Sequence, residues 1–147
     1  MDFKTLFKKA PKPPETVETL QPDQPFPLNW RSLLPREEAV IVAVISLYCS
    51  HCIELLPELT SIVHRDRIPF ILVSNGTTQE NENIAAYFKA EFPFVSIEEE
   101  DILEVYKVNQ TPYFYLVDGR GLIVKGFAAD SAEDVATHWR QREVNSA

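Results

Sequence analysis

Cysteine is scarce in this sequence, and the scarcity narrows the chemistry that the chain can perform. The 147 residues include two cysteines, so no third thiol remains for a separate structural disulfide. Both lie in one motif, Cys49-Ser50-His51-Cys52. A C-x-x-C pair is typical of thiol–disulfide chemistry or of half a metal site. The motif is therefore the first candidate for a functional site.

A zinc site is one alternative, with His51 and His64 as further ligands of the two cysteines. The sequence has no second C-x-x-C and no H-x3-5-H pair to complete a tetrahedral set. Haem attachment requires a histidine directly after the second cysteine, where this chain has Ile53. We therefore expect no metal and no cofactor.

Positive charge and long apolar runs are also lacking. The chain has 14 Lys and Arg against 22 Asp and Glu, and a net charge of -8 repels phosphate backbones. We expect no nucleic-acid partner. No apolar run approaches the roughly 20 residues that span a bilayer, and no uninterrupted apolar stretch of a secretion signal opens the chain. These absences favour a cytoplasmic protein, or an extracytoplasmic one if the sequence is a piece of a longer anchored precursor.

Composition divides the chain into three parts. Residues 1–24 carry four prolines among Lys, Glu and Thr, which predicts a flexible leader. Residues 25–142 predict one domain, because a hydrophobic content of 45% is enough for a core. Residues 143–147 are expected to fray.

The leader carries a weak amphipathic pattern over residues 1–12. Phe3, Leu6 and Phe7 share a helical face beside three lysines, the pattern of a membrane-surface or partner contact. The alternative is an ordinary frayed terminus.

Hydrophobic periodicity predicts an α/β domain with a central mixed sheet flanked by helices. The predicted strands are residues 39–48, 69–74, 94–97, 113–117 and 122–127, and the predicted helices are 49–65, 80–91, 100–107 and 131–142. The first strand is apolar nearly throughout, as in a sheet covered on both faces. The last two strands predict an antiparallel hairpin, and the second helix is expected to turn Ile84, Tyr87 and Phe88 inward.

The position of the motif favours a reactive thiolate. Cys49 directly follows the first strand and lies at the N-terminus of the first helix, where the partial positive charge favours the anionic form. His51 adds a stabilising imidazole, so the reduced state is favoured and the oxidised pair is the better disulfide donor. Cys52, one helical turn on, is placed to resolve a mixed disulfide at Cys49.

Thr111-Pro112 is the second chemical signal. A proline at the start of the hairpin is hard to explain as filler, and a cis peptide bond would explain it. The backbone of Thr111 would then lie beside the cysteines and pair with an extended substrate.

The order of these elements resembles the thioredoxin superfamily. More narrowly, "CSHCIELLPEL" followed by "IAAYFKAEFPFVSIEEEDILEVYKVNQTPYFYLVDGRGLIVKGF" is similar to the TlpA/ResA group, which has an extra α-β insertion. The resemblance covers roughly residues 25–142. It implies a thioredoxin fold, Cys49 as the nucleophile, Cys52 as the resolving thiol and Pro112 in cis.

Three departures from that pattern matter. Tyr48 stands where the family usually carries Trp, which keeps an aromatic side chain beside the thiol and the substrate. His51 replaces a frequent Pro and resembles the C-x-H-C of disulfide oxidases and isomerases, which indicates an oxidising direction. Ala43 and Leu55 occupy positions where relatives carry a buried carboxylate for proton transfer, so that relay is in doubt.

A looser resemblance is to thioredoxin-like accessory proteins encoded with ribosomally made bacteriocins, such as the sporulation killing factor, where a peptide disulfide must form. The expected partners are a peptide or protein thiol or disulfide and a redox partner, and we expect a monomer.

Two functional classes remain. The first is an enzyme that exchanges disulfides through Cys49 and Cys52. The second is a docking or chaperone module of the same fold, which binds one client and turns over its cysteines little.

Overall fold

The computed structural model describes residues 18–145, with side chains described as far as residue 142. Phe3, Leu6 and Phe7, with the predicted surface contact over residues 1–12, lie outside the described residues. So does the end of the predicted tail. The division into leader, domain and tail stays a prediction.

Five strands and four α-helices follow the predicted order. The strands are β1 (Ala39–Ile45), β2 (Phe70–Ser74), β3 (Phe94–Ser96), β4 (Tyr113–Asp118) and β5 (Ile123–Phe127). The helices are α1 (Ser50–Asp66), α2 (Thr78–Phe88), α3 (Glu99–Glu104) and α4 (Ala132–Asn145), and a 3-10 helix spans Trp30–Ser32. No helix within residues 18–145 is long and apolar enough to span a bilayer.

The strands form one mixed sheet in the order β3-β2-β1-β4-β5. β1 is parallel to β2 and β2 to β3, whereas β4 is antiparallel to both β1 and β5. In this register Ile45 pairs with Ser74, and Val44 pairs with Tyr113. The end of β1, the end of β2 and the start of β4 therefore meet at one edge of the sheet, which we call the upper edge.

The sheet has a core on each face, as its apolar strands require. One face packs against α1 and α4 through a cluster that includes Leu56, Leu59 and Phe114. The other buries a cluster that includes Trp30 and Tyr115. Burying one large apolar side chain contributes about 1.5–3 kcal/mol to the stability of the fold. The two cores therefore stabilise the sheet and, with it, the position of its upper edge.

Local signals explain where the helices begin and end. Thr77 accepts a hydrogen bond from Glu80 N while the Glu80 carboxylate accepts one from Thr77 N, a capping box that starts α2. Arg67 has a left-handed backbone, with φ 54°, and ends α1.

Two expectations were wrong in detail. β1 ends at Ile45 rather than at residue 48, because Leu47 N donates to the side chain of Asn75 instead of joining a strand. In α2, Ile84 and Phe88 pack against the core as expected, but Tyr87 is 80% exposed. The fully buried position belongs to Asn81, whose Oδ1 accepts a hydrogen bond from Ser74 Oγ at 2.8 Å. Polar anchoring of Asn81 sets the rotation of this helix.

The segment before β1 contacts the sheet earlier than periodicity indicated. Asp23 N donates to Ile123 O at 2.8 Å, and Pro25 forms an isolated bridge with Leu122. Trp30 is 1% exposed, and its Nε1 donates to Asp118 O. Residues 23–30 pack against the edge of the sheet opposite to the upper edge, whereas Thr19 lines the groove that contains His51 and Thr111.

Candidate active site

The upper edge carries both cysteines. Cys49 is the N-cap residue of α1 with extended backbone, φ -98° and ψ 108°, and its Sγ accepts a hydrogen bond from Cys52 N at 3.1 Å. A sulfur at this position lies against the free N–H groups of the first helical turn. Cys49 is half-buried and Cys52 is 1% exposed, and both are free thiols. One sulfur is thus accessible and its neighbour lies behind it.

The two thiols have opposite acidities. Burial alone would raise the pKa of Cys49, but hydrogen bonds from the side chains of Cys52 and Thr111 and from the N–H groups of Cys52 and His51 outweigh it, so its pKa is lowered. Burial, and then the hydrogen bond to Cys49, raise the pKa of Cys52 to about 12. Cys49 is therefore the accessible sulfur that forms a thiolate more readily, and Cys52 is the buried sulfur that keeps its proton.

Thr111 lies beside the reactive sulfur although 62 positions separate it from Cys49. The Thr111-Pro112 peptide bond is cis, which confirms the expectation from sequence. Cys49 Sγ lies 3.6 Å from Thr111 O, Pro112 is buried and Thr111 is half-buried. The register of β4 against β1 brings this loop to the motif.

His51 acts on Cys49 through its backbone in this structure. Its N–H is one of the groups that lower the pKa of Cys49. The imidazole is exposed and lines a surface groove with Pro112 and Asp130. The stabilisation of the thiolate by the imidazole stays a prediction.

The remaining residues of interest have clear environments. Tyr48 is 81% exposed next to Cys49, as a side chain that touches a partner would be. Ala43 and Leu55 are buried and apolar, so these two positions supply no carboxylate to the cysteines. Glu54, the neighbour of Leu55, faces solvent.

Two histidines differ in their surroundings. His64 lies near the far end of α1, where its Nε2 accepts a hydrogen bond from Glu91 N, so the suggested zinc ligands are not brought together. His138 is half-buried and stacks on Phe127 with 3.7 Å between ring centroids. Burial against this ring, followed by the charge of Lys125, lowers its pKa.

Asn75 is a site residue that sequence analysis missed. Its Oδ1 accepts a hydrogen bond from Leu47 N at 2.8 Å, and its Nδ2 donates to Ser46 Oγ at 3.3 Å. Together these bonds hold the turn that leads into Cys49. The sequence marks Asn75 only as part of a turn after β2, because the contact depends on the pairing of β2 with β1.

Replacing Asn75 with Ala should lower the free energy of unfolding by about 1–2 kcal/mol, because Leu47 N loses its partner in a half-buried site. Urea unfolding monitored by tryptophan fluorescence measures the change. The control is Gln79→Ala, which removes an exposed amide that bonds within α2. Equal losses for the two variants would contradict this role of Asn75.

Comparison with known proteins rests on structure. No protein-family model matches the sequence, and no curated protein matches it. StoA from Bacillus subtilis is 21% identical, with 69% of this chain and 83% of that chain covered and a TM-score of 0.55. A thiol:disulfide interchange protein of the thioredoxin family from Chlorobium tepidum is 15% identical, with 80% and 92% covered and a TM-score of 0.58. The chain has the thioredoxin fold.

A third structure with the thioredoxin fold is the exposed lipoprotein thioredoxin of Streptococcus pneumoniae. It is 16% identical, with 71% of this chain and 84% of that chain covered and a TM-score of 0.57. The expected fold class, a mixed sheet flanked by helices, is confirmed by these likenesses and by the sheet order.

Proposed function

We propose that the protein is a thiol–disulfide oxidoreductase in which Cys49 is the nucleophile and Cys52 the resolving thiol. The observation that carries the proposal is the split between the two sulfurs. Cys49 has a lowered pKa and an accessible position, whereas Cys52 is buried with a pKa raised to about 12. Thiolates attack disulfides and thiols do not, so the split supports this order of events.

In the reducing direction, the Cys49 thiolate attacks one sulfur of a substrate disulfide, forms a mixed disulfide and releases the other sulfur as a thiolate. Cys52 then loses its proton and attacks Cys49 Sγ, which closes the Cys49–Cys52 disulfide and releases the second substrate sulfur. Two electrons pass to the substrate and two thiols of the protein become one disulfide. The oxidising direction runs the same steps backwards.

Thr111, Pro112 and Tyr48 are proposed to bind the substrate. Thr111 O lies beside Cys49 Sγ, and Pro112 is the next residue after Thr111. The Tyr48 ring projects into solvent next to the motif. An extended chain laid across Thr111 would pair with its backbone and bring a cysteine to the reactive sulfur.

The direction of exchange is proposed to lean towards oxidation. We expect a reduction potential of roughly -150 to -230 mV, above the value of about -270 mV for thioredoxin. Equilibration with glutathione, followed by alkylation and mass measurement, gives the potential. A value below that of thioredoxin would contradict the oxidising direction.

Two substitutions at position 51 separate the contributions of the His51 imidazole and the His51 backbone N–H to the reduction potential. His51→Ala removes the imidazole alone and should lower the potential by on the order of 30 mV, because a less stable thiolate makes the reduced state less stable. His51→Pro also removes the N–H that bonds Cys49, and it should lower the potential further. Proline is tolerated in a first helical turn. An unchanged potential in His51→Ala would assign the effect to the backbone instead.

The proposed partners are a peptide or protein substrate and a second redox protein, with no cofactor. A bacteriocin-type peptide as substrate and a monomeric state stay predictions. The cytoplasmic location also stays a prediction, and the similarity to an exposed lipoprotein thioredoxin favours the extracytoplasmic alternative.

A docking module is the second candidate, because Tyr48 and Leu103 are exposed, at 81% and 41%, near the motif. Such a module would keep its effect in cells after Cys49→Ser, whereas an oxidoreductase would lose it.

A further inference from the structure

Two surface grooves flank Thr111. The first, which we call the α3 groove, has a volume of about 270 Å³ and includes Ser46, Glu99 and Leu103. The second, the His51 groove, has a volume of about 260 Å³ and includes His51 and Asp130. Thr111 lines both grooves, and its carbonyl lies beside Cys49 Sγ. A chain that crosses Thr111 would therefore place the neighbours of its cysteine in the two grooves.

Each groove carries one exposed carboxylate. Glu99 lies in the α3 groove and Asp130 in the His51 groove. Within residues 18–145, no lysine or arginine lines either groove, and neither carboxylate forms an ion pair. His51 is the single basic side chain among those described in the grooves. Lys107 lies in the preceding loop but lines neither groove.

The arginines lie at the opposite end of the fold. Arg36 and Arg142 line a separate groove with Ala39 and Asp118, at the start of β1 and the end of β4. The other arginines lie near the β4–β5 turn, at the end of α1 and in the second half of α4; they are Arg31, Arg65, Arg67, Arg120 and Arg140. The arginines thus lie away from the edge that carries Cys49, and three of them form ion pairs with carboxylates at their own end of the domain.

Apolar surface next to the same sulfur indicates a polypeptide ligand. Tyr48 is 81% exposed and Leu103 is 41% exposed. Leu103 lies in the open α3 groove, and an exposed apolar side chain in an open groove fits a peptide side chain better than an enclosed small molecule.

We propose that the upper edge binds a cationic polypeptide segment, one with lysine or arginine on either side of its reactive cysteine. This inference rests on the proposed function and names its substrate class. Glu99 and Asp130 attract the positive charges that flank the substrate cysteine. The arginines of this protein do not repel those charges, because they lie at the opposite end of the domain. Such steering raises association rates at low ionic strength and fades as salt screens the charges.

Three synthetic peptide disulfides test the proposal. Each is a homodimer joined through one cysteine, and the cysteine is flanked on both sides by Lys, by Glu or by Ser. The reduced full-length protein attacks the disulfide, releases two peptide thiols and becomes the Cys49–Cys52 disulfide, so electrons and atoms balance. Each rate is divided by that of the same peptide with dithiothreitol, a neutral dithiol, which removes differences in intrinsic reactivity.

We expect the Lys peptide to react about tenfold faster than the Glu peptide at low salt and about twofold faster at high salt. The thiolate itself attracts cations, so variants must separate its effect from that of the grooves. Glu99→Gln with Asp130→Asn should reduce this Lys to Glu rate ratio about threefold. The control Glu38→Gln with Glu91→Gln removes the same charge away from the grooves and should leave the ratio within about 1.5-fold.

The outcomes are distinguishable. Rapid reaction of the Ser peptide supports the proposed function, whatever the ratio. A ratio below about twofold at low salt, or an equal fall in the control variant, overturns the cationic preference while the function stands. Failure of all three peptides to react, both as disulfides with the reduced protein and as thiols with the oxidised protein, overturns the function, and the preference with it.

Discussion

Cys49→Ser lowers the rate of disulfide exchange by roughly a thousandfold or more, whereas Cys52→Ser preserves the first half of the reaction. The reason is the arrangement of the two sulfurs. Without Cys49, the remaining thiol is 1% exposed, and its burial still raises its pKa, so it supplies little accessible thiolate. Without Cys52, the reactive sulfur remains accessible and nothing resolves its mixed disulfide.

The measurement is the release of thiol from a peptide disulfide, followed by mass spectrometry of the protein. Cys52→Ser should accumulate a mixed disulfide at Cys49, and its mass identifies the trapped partner in cell extracts. The two variants are matched, because each keeps one cysteine and replaces the other with the same residue. Comparable trapping by Cys49→Ser would show that Cys52 is the nucleophile and would reverse the proposed roles.

The second large effect is the pH dependence of alkylation. The thiolate reacts with iodoacetamide and the thiol does not, so a lowered pKa moves the rise in rate to lower pH. Cys49 should therefore become reactive below the pH at which it does so in the denatured protein. At pH 7, a thiol with a pKa of about 12 is ionised to about one part in 10⁵, so Cys52 should stay unmodified.

The titration uses reduced protein, with peptide mapping to assign the modified cysteine. Protein denatured in urea is the reference, because it has the same sequence without the helix N-terminus. If the folded and denatured midpoints of Cys49 coincide, the N-cap position does not activate this sulfur. Early modification of Cys52 would show that its burial does not hold in solution.

The mutational effect and the pH effect depend on several contacts of the two cysteines. Some of these contacts can be predicted from the sequence and others cannot. The N-cap position of Cys49 follows from an apolar strand that stops just before a helical pattern, and that pattern is local. The depth of Cys52 follows from the same helix, since its face points to the sheet. The contact with Thr111 is of another kind, because 62 positions separate the two residues.

Errors at the sequence level have the same origin. The prediction for β1 ran too far because Leu47 and Tyr48 continue the apolar run, whereas in the structure Leu47 N donates to the side chain of Asn75 and Tyr48 N donates to Ser46 Oγ. Tyr87 was expected inside because its spacing fits an apolar face, but Asn81, Ile84 and Phe88 form that face, and a hydrogen bond from Ser74 holds Asn81 there. In both cases a side chain from a neighbouring element overrode the local pattern.

The cis bond before Pro112 was predicted from the sequence because the cysteine motif supported it. A proline at the start of a strand needs an explanation from its own chemistry, and the upstream cysteine motif made cis the favoured one. The environment of His138 had no such signal, because its spacing on α4 does not reveal the Phe127 ring that covers it.

By itself, the sequence determined the order of strands and helices, the placement of Cys49 at a helix N-terminus and the interpretation of the cysteine pair as a redox motif. These follow from periodicity, capping and the spacing of two cysteines, which act within a few residues of one another. Only the tertiary structure decided which side chains meet at the upper edge: Thr111 beside the sulfur, Asn75 under the turn, and Glu99 and Asp130 in the flanking grooves. Strand pairing sets these contacts, and pairing depends on the register of segments that are far apart in the chain.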